Sequence, residues 1–279
     1  MSADGSGRIL QGEHRIELDP SSRVLLWHEG KPIFSQLKTV HAEHVSYTKA
    51  CLRIAWESVL ALPATWINAR ADRDRIGADK ILQAQLANEV GLSTIPTVLT
   101  NSESAFAAAI AEISTSYIAL KSPVQWHSDQ VDSTQHVATY TRMFAKSEAL
   151  GLVKKIGAAP LYVQPYIEKA FELRVTVVED DVFACKIDSQ ASPASRIDWR
   201  HYDLKNVAHE KHLLPDYVTR SILALRGKCG LVYAAMDFIV EPGGTYRFVE
   251  INPSGQYGWI EALCGLPISD AIAERLMRY

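Results

Sequence analysis

One segment, residues 234–252, constrains the fold more than any other because it predicts a β-hairpin. Two runs of strand-forming residues flank the pair Gly243-Gly244. A Gly-Gly pair between such runs is typical of a two-residue hairpin turn, because glycine adopts the backbone angles that the turn requires. The segment therefore predicts two antiparallel strands near the end of the chain.

The register of this hairpin decides which side chains share a face. With the turn centred on the glycine pair, Val240 lies opposite Arg247, and Asp237 lies opposite Glu250. Side chains directly opposite each other share a face, and the two-residue period adds Asn252 to it. The other face is apolar and carries Met236, Phe238, Val240, Val249 and Ile251.

Two carboxylates and an amide are thus expected side by side over a buried sheet. Facing carboxylates repel each other at cross-strand distance, and a divalent cation between them makes the net interaction attractive. Mg²⁺ usually takes one or two carboxylates together with substrate phosphates. A solvent-facing strand edge is the alternative, but Asp and Asn are both poor strand residues. The pattern therefore predicts that Asp237, Glu250 and Asn252 bind Mg²⁺.

A second hairpin is predicted over residues 171–188, with a three-residue loop at 179–181. In the favoured register Arg174 lies opposite Lys186, and Glu172 and Asp188 share their face. The opposite face is then apolar, with Leu173, Val175, Val177, Phe183, Cys185 and Ile187. Salt bridges on a solvated face explain these charges on their own. A row of cations beside a Mg²⁺ site would instead suit a triphosphate.

A loop at residues 194–202 carries Arg196, Trp199 and Arg200. Arginine is the side chain best suited to bidentate contact with phosphate or carboxylate. A solvated loop would explain the arginines equally well, but it leaves Trp199 harder to place.

Length, charge and cysteine usage exclude several classes of protein. A chain of 279 residues predicts one large or two modest domains. A net charge of −3 argues against nucleic acid or an acidic membrane as a partner. The four cysteines match no zinc or redox spacing, and no apolar run reaches the length of a membrane span. We therefore expect a cytoplasmic protein.

The remaining elements follow in order along the chain. Residues 1–20 are polar and predict a loosely held start, followed by strands at 23–27 and 32–37. Helices are predicted at 46–62, 76–90, 102–113, 215–229 and 269–278. Further strands are predicted at 97–100, 117–121, 136–144 and 161–167. A long polar loop at 122–135 is of the kind that is usually functional or mobile.

Several of these segments resemble the ATP-grasp carboxylate–amine ligases. Asp237, thirteen residues before Glu250-Ile-Asn252, looks like their metal-binding signature. Residues 163–167 followed by 172–178 are similar to their inter-lobe hinge and first large-lobe strand. Residues 81–99, with Lys80 before them, resemble their entry helix and the strand after it.

A narrower resemblance points to one branch of that family. Residues 66–68, 100–101, 198–200 and 252–259 resemble the microviridin-type ligases, also called graspetide synthetases. The likeness covers about residues 66–279. Two departures stand out: the loop at 122–135 contains no glycine, where the family's phosphate-covering loop is often glycine-rich, and the N-terminal region is shorter than usual.

The resemblance implies an α/β fold of the α+β ATP-grasp type, with a nucleotide cleft between two lobes built on antiparallel sheets. It implies a short N-terminal α/β unit at residues 1–70 and an ATP-grasp domain at 71–279. Within that domain the small lobe would span about residues 95–162 and the large lobe about 163–279. A homodimer is also expected.

The resemblance also implies a role for each matching residue. The ATP-binding residues would be Lys80, Lys121, Gln164, Pro165, Tyr166, Ile167, Glu172 and Lys186. The catalytic residues would be Arg174 at the γ-phosphate, and Arg196 and Arg200 at the acyl phosphate or the acceptor. The Mg²⁺ ligands would be Asp237, Glu250 and Asn252.

The implied chemistry is the activation of a carboxylate. Phosphorylation by ATP turns a poor leaving group into a good one, so the protein's task is to position the groups and neutralise phosphate charge. The implied substrate is a ribosomally made precursor peptide, whose Asp or Glu side chains are joined to Ser/Thr hydroxyls or Lys amines. A small-molecule carboxylate–amino acid ligase and a non-catalytic nucleotide- or peptide-binding module remain as alternatives.

Overall fold

The N-terminal region contains more regular structure than its polar sequence predicts. The structure, a computed structural model, describes residues 7–11, 13–26, 40–123, 140–157, 159–201 and 203–278. Strands β1 (Gly7–Gln11) and β2 (His14–Leu18) form an antiparallel pair. Polar and apolar residues alternate along β2, and this short period was overlooked in the prediction. The strand predicted at 32–37 lies outside the described residues.

A small βαβ unit follows; its first strand and its helix were predicted, whereas its second strand was not. It consists of β3 (Arg23–Leu25), helix α1 (Val45–Leu60) and β4 (Thr65–Ile67), with the two strands parallel. Ile67 joins a core shared with residues from the C-terminal part of the chain. The unit is therefore packed on the rest of the protein.

The single helix predicted at 76–90 is two helices. They are α2 (Arg70–Ala78) and α3 (Lys80–Glu89), separated by Asp79. The Asp79 carboxylate caps α3 by accepting hydrogen bonds from the backbone N–H groups of Ile81 (2.9 Å) and Leu82 (3.0 Å). This break makes Lys80 the first residue of α3. A short strand, β5 (Ser93–Thr94), follows the helix.

The smaller sheet has four antiparallel strands in the order β6-β9-β7-β8. The strands are β6 (Val98–Thr100), β7 (Tyr117–Lys121), β8 (Arg142–Ala145) and β9 (Leu161–Pro165). Helices α4 (Glu103–Glu112) and α5 (Lys146–Leu150) lie between these strands in the chain and supply Phe106, Ile110 and Ala149 to the core of this sheet. Most of the predicted polar loop lies outside the described residues.

The larger sheet has six strands in the order β12-β11-β10-β13-β14-β5, and only the β14–β5 pair is parallel. The new strands are β10 (Phe171–Val178), β11 (Asp181–Ile187), β12 (His209–Lys211), β13 (Tyr233–Val240) and β14 (Tyr246–Asn252). Helices α3 and α6 (Asp216–Lys228) contribute to the core on one face. Helices α7 (Gly258–Cys264) and α8 (Ile268–Met277) contribute to a second core.

The β13–β14 hairpin confirms the pairing of Asp237 with Glu250 but corrects the register near the turn. Val240 pairs with Tyr246 instead of Arg247, and a bulge beside Asp237 restores the predicted alignment. The bulge adds one residue to β14. Val249 therefore faces the cleft described below, whereas Phe248 takes the predicted place in the core.

The register predicted for the β10–β11 hairpin is wrong by one residue. Arg174 pairs with Cys185, and Lys186 pairs with Leu173. The loop has two residues in place of three, and Glu179 in that loop has a φ of 54°. A slip of one residue moves every side chain of a strand to the other face.

Lys186 therefore does not join the ATP-binding face on which it was predicted. It shares a face with Leu173, which belongs to the core beneath the sheet. Its ammonium lies 3.6 Å from the Glu210 carboxylate and 5.3 Å from the centre of the Phe171 ring. Lys186 therefore contacts the two neighbouring strands and does not line the cleft.

Asn68 links the N-terminal unit to the larger sheet. Its side chain is buried, and its Nδ2 donates hydrogen bonds to the carbonyls of Tyr233 (2.7 Å) and Pro253 (2.9 Å). Its Oδ1 accepts from the backbone N–H groups of Val232 (2.7 Å) and Tyr233 (2.9 Å). One amide thus holds the start of β13 and the segment just beyond β14.

We predict that Asn68→Ala lowers the free energy of unfolding by about 3 kcal/mol or more, because several buried backbone groups lose their partners at once. Chemical denaturation measures the change. The control is Ser58→Ala, which removes a hydroxyl bonded to a helix carbonyl at an exposed position and should change stability by less than about 0.5 kcal/mol. Equal effects of the two substitutions would contradict the linking role.

Candidate functional site

A cleft of about 710 Å³ lies between the two sheets. One wall comes from β7 and β9, and the other comes from β10, β13 and β14. The start of α3 and the segment 197–200 also reach it. The predicted site residues that line it are Lys80, Lys121, Gln164, Pro165, Tyr166, Ile167, Glu172, Arg200, Asp237 and Glu250.

A second opening of about 810 Å³ adjoins the cleft. The two cavities share a group of charged side chains, Lys80, Lys121, Arg200 and Glu250, which we call the charged junction. Asn252, the third predicted metal ligand, lines this second opening. The junction therefore lies between two spaces that could hold two different ligands.

Glu250 is the anion of the charged junction. Lys80 donates a hydrogen bond from its ammonium to Glu250 Oε2. Burial favours the neutral carboxyl, but Lys80, Lys121 and Arg200 outweigh it and lower the pKa of Glu250 to about 2. Glu250 is therefore ionised at neutral pH.

Asp237 faces Glu250 in a different environment. Arg174 Nη1 donates a hydrogen bond of 2.9 Å to Asp237 Oδ1. Burial raises the pKa of Asp237, and the charge of Glu250 raises it further, although Arg174 acts in the opposite sense. A cation placed between the two carboxylates would relieve this repulsion.

Arg174 was predicted to reach the γ-phosphate, and the structure corrects its position. It is buried behind Asp237 and is absent from the cleft lining, because Asp237, Gly255 and Gln256 enclose its guanidinium. Its Nη2 donates to the Gln256 carbonyl at 3.2 Å. A Cβ at Gly255 would lie 2.5 Å from that Nη2 and 2.5 Å from the Ala235 Cβ. Glycine is therefore required at position 255.

Lys169 is a cleft residue that the sequence analysis missed. Its ammonium donates hydrogen bonds of 2.9 Å to Glu172 Oε1 and to the Ile197 carbonyl. Burial raises the pKa of Glu172 despite this cation. The Ser189 side chain also acts on Glu172 and, like Lys169, lowers its pKa.

Asp198 is a second missed residue, and it holds Arg200 in place. Its Oδ1 accepts from Arg200 Nε (2.8 Å), while its Oδ2 accepts from Arg200 Nη2 and from the backbone N–H of Thr141 (3.1 Å). Burial opposes ionisation of Asp198, but these hydrogen bonds hold its pKa well below the usual range. Asp198 thus joins the loop at 194–201 to the residue before β8.

The same loop separates the other two predicted residues. Trp199 lines the cleft, and its ring centre lies 5.3 Å from that of Trp259. Arg196 is exposed and does not line the cleft, and its backbone N–H donates to the Ser192 carbonyl in a local turn. The structure therefore does not place Arg196 with the other predicted catalytic residues.

Lys121 is a cation whose pKa is changed by its surroundings. Burial lowers its pKa, the nearby charge of Lys80 lowers it further, and the result is about 8. A lysine in this state gains from any anion that enters the cleft, since an anion favours the charged form. The site thus has a specific need for negative charge beyond Glu250.

The three predicted ligands, Asp237, Glu250 and Asn252, fit Mg²⁺ only if the bound ligand supplies further oxygen atoms. Across the described ranges, no group of three or more His, Cys, Asp or Glu side chains could hold a metal ion. Two carboxylates and one amide can hold Mg²⁺ when ligand phosphates complete the shell. The lysines of the charged junction suit such phosphates.

Solved structures with the same fold were found for the whole chain. The macrocyclase MdnC from Microcystis aeruginosa MRC, bound with its precursor peptide MdnA, matches with a TM-score of 0.85 and 26% identity. The match covers 100% of this chain and 85% of that chain. A RiPP-associated ATP-grasp ligase from Chryseobacterium gregarium, in complex with ADP and a leader and core peptide, matches with a TM-score of 0.85. Its identity is 23%, covering 97% of this chain and 84% of that one.

A third structure contains the metal. The ATP-grasp ligase PsnB, complexed with a minimal precursor, Mg and ADP, has a TM-score of 0.68 and 18% identity over 97% of this chain and 85% of that chain. No protein-family model matches the sequence, and no curated protein matches it. None of the helices in the described part of the chain is long and apolar enough to cross a membrane.

We predict that Gly255→Ala lowers the free energy of unfolding by about 1–3 kcal/mol, because the added Cβ overpacks against Arg174 and Ala235. The matched control is Gly227→Ala on α6, where the added Cβ meets nothing within 4 Å. The control should gain about 0.5–1 kcal/mol from helix propensity. Denaturant titration of both variants gives the two signs, and a stable Gly255→Ala protein would refute the close approach.

Proposed function

We propose that this chain is an ATP-grasp ligase that uses ATP and Mg²⁺ to join an Asp or Glu side chain of a ribosomally made peptide to a Ser/Thr hydroxyl or a Lys amine. One observation carries the proposal. The charged junction lies between a cleft suited to a nucleotide and a second opening suited to a substrate carboxylate. A ligase of this kind must bring those two ligands together.

The nucleotide would occupy the cleft between the sheets. Residues Gln164, Pro165, Tyr166 and Ile167 form a continuous strip of its wall, where the base would lie. Glu172, which lines the same cleft, would accept a hydrogen bond from a ribose hydroxyl.

The phosphates and the metal would lie at the charged junction. Lys80 and Lys121 would bind the phosphate oxygens, and Asp237, Glu250 and Asn252 would hold Mg²⁺. When bound, ATP supplies the phosphoryl group that activates the substrate carboxylate, and Mg²⁺ neutralises phosphate charge. Lys80 now neutralises Glu250, so it would exchange that contact for phosphate when the metal binds. Arg174 would act as a positioning residue that fixes Asp237.

The substrate carboxylate would enter from the second opening. Arg200 faces this space and is fixed there by Asp198, so its guanidinium is preorganised for a carboxylate. Tyr140 lies beside it, with its ring centre 5.8 Å from the guanidinium carbon of Arg200. These residues would speed the reaction by holding one carboxylate in a fixed orientation near the phosphates.

A peptide is favoured as the substrate over a free amino acid. MdnC is bound with a precursor peptide, and the ligase from Chryseobacterium gregarium is bound with a leader and a core peptide. The rings of Trp199 and Trp259, whose planes are tilted by 32°, offer apolar surface against which a chain can pack. We further propose a cytoplasmic location, a homodimer, and a division into an N-terminal unit at 1–70 and lobes at about 95–162 and 163–279.

The test is incubation of the protein with ATP, Mg²⁺ and a short peptide encoded beside its gene that contains Asp or Glu together with Ser, Thr or Lys. We expect ADP release and a peptide mass lower by one water for each bond formed. Glu250→Gln and Asp237→Asn should abolish both signals while the proteins remain folded. Asn is preferred to Ala at 237 because it keeps a hydrogen-bonding partner for the buried Arg174.

Two outcomes would redirect the assignment. ADP release with free amino acids but with no peptide would indicate a small-molecule ligase. Nucleotide binding without ADP release under any substrate would indicate a binding module. Full activity in both carboxamide variants would remove the metal assignment.

We also predict that ADP affinity falls with rising pH through the pKa of Lys121. The pKa in the free protein is about 8, and a bound phosphate raises it, so binding takes up a proton above that pH. The dissociation constant should rise about tenfold between about pH 7 and about pH 9. Lys121→Arg should flatten the profile because arginine stays charged throughout. An identical profile in this variant would assign the pH dependence to another group.

A further inference from the structure

Gln83 carries a buried side-chain amide that has no role in the proposed reaction. It lies on α3, one turn after Lys80, and its side chain is 2% exposed. Its Nε2 donates hydrogen bonds to the carbonyls of Ile76 (2.7 Å) and Ile251 (3.0 Å). Its Oε1 accepts from the backbone N–H of Ile251 at 3.1 Å. The backbone N–H and C=O of Ile251 thus both bond to the side chain of Gln83.

Ile251 is the residue between two candidate metal ligands. Glu250 precedes it and Asn252 follows it on β14. The neighbouring strand β5 pairs with β14 at Arg247 and Phe248, three residues before Ile251. At Ile251 the Gln83 amide takes the place of a neighbouring strand, because it bonds both the N–H and the C=O as a strand would.

The same helix also sets the position of Lys80. Residues three apart lie on one face of a helix, so Lys80 and Gln83 both point toward β14. Lys80 contacts Glu250, and Gln83 contacts the next residue along the strand. The bond to the Ile76 carbonyl extends the same anchor to the end of α2.

We propose that Gln83 is a positioning residue for the metal site: it fixes the backbone that carries Glu250 and Asn252 and holds that backbone against the helix that carries Lys80. The inference rests on the proposed function, because it takes those two side chains as Mg²⁺ ligands. Residues that orient metal ligands typically change metal affinity or activity by about 10- to 100-fold when they are removed.

The variant that tests this is Gln83→Met, which keeps the length of the side chain and removes its hydrogen bonds. Mn²⁺ serves as the probe, since it takes the same oxygen ligands as Mg²⁺. Calorimetric titration of Mn²⁺ into the protein saturated with ADP should show binding at least about tenfold weaker than in the wild type. ADP affinity in the absence of metal should stay within about threefold, because Gln83 does not line the cleft between the sheets.

Two further variants separate positioning from a loss of stability. Ile222→Ala, in the same core, should lower the melting temperature and leave Mn²⁺ affinity unchanged. Gln83→Leu removes the same hydrogen bonds without adding a charge, so its Mn²⁺ affinity should fall as far as that of Gln83→Met. It also provides a second reading if Gln83→Met does not fold.

The inference is overturned if Gln83→Met or Gln83→Leu binds Mn²⁺ as tightly as the wild type, or if Ile222→Ala weakens Mn²⁺ binding to the same extent. Either result leaves the proposed ligase activity standing. If the wild type itself binds neither ADP nor Mn²⁺, the metal site of the proposed function fails. The two failures are therefore distinguishable.

Discussion

The position of Glu250 among three cations is the constraint on which the rest of the site depends. A carboxylate in a half-buried cleft is costly unless it is paired, and Lys80, Lys121 and Arg200 supply the compensation. Each of the three comes from a different part of the fold: the start of α3, the end of β7 and the loop after β11. The two sheets and helix α3 must therefore meet at one point for this group to be stable.

Much of the larger sheet was predictable because its strands have one buried face. The pairing of Asp237 with Glu250 was predicted by centring the turn on the glycine pair, and it holds because the bulge offsets the different register near the turn. The bulge beside Asp237 was not predictable, because turn length and the sheet register are satisfied together only in the folded sheet. The β10–β11 hairpin shows the opposite case. Apolar residues lie on both faces of these strands, so alternation could not exclude a slip, and Lys186 was misplaced.

The residues that sequence reasoning missed share one property. Lys169, Asp198 and Gln83 each act through backbone groups that are brought to them by the fold: the Ile197 carbonyl, the Thr141 N–H and the Ile251 peptide. A backbone partner leaves no residue type to recognise in the sequence. The metal-site candidates, by contrast, were found because their side chains recur at a spacing that one hairpin dictates.

The hydrogen bonds of Asp198 have a mechanical consequence. One carboxylate orients the Arg200 guanidinium and is also bonded to the chain that enters β8, on the opposite side of the cleft. Separation of the sheets would break the second contact and free Asp198 to turn, and Arg200 would turn with it. Arg200 would therefore be held toward the second opening only while the two sheets are close together, and an open form of the protein would orient the substrate carboxylate poorly.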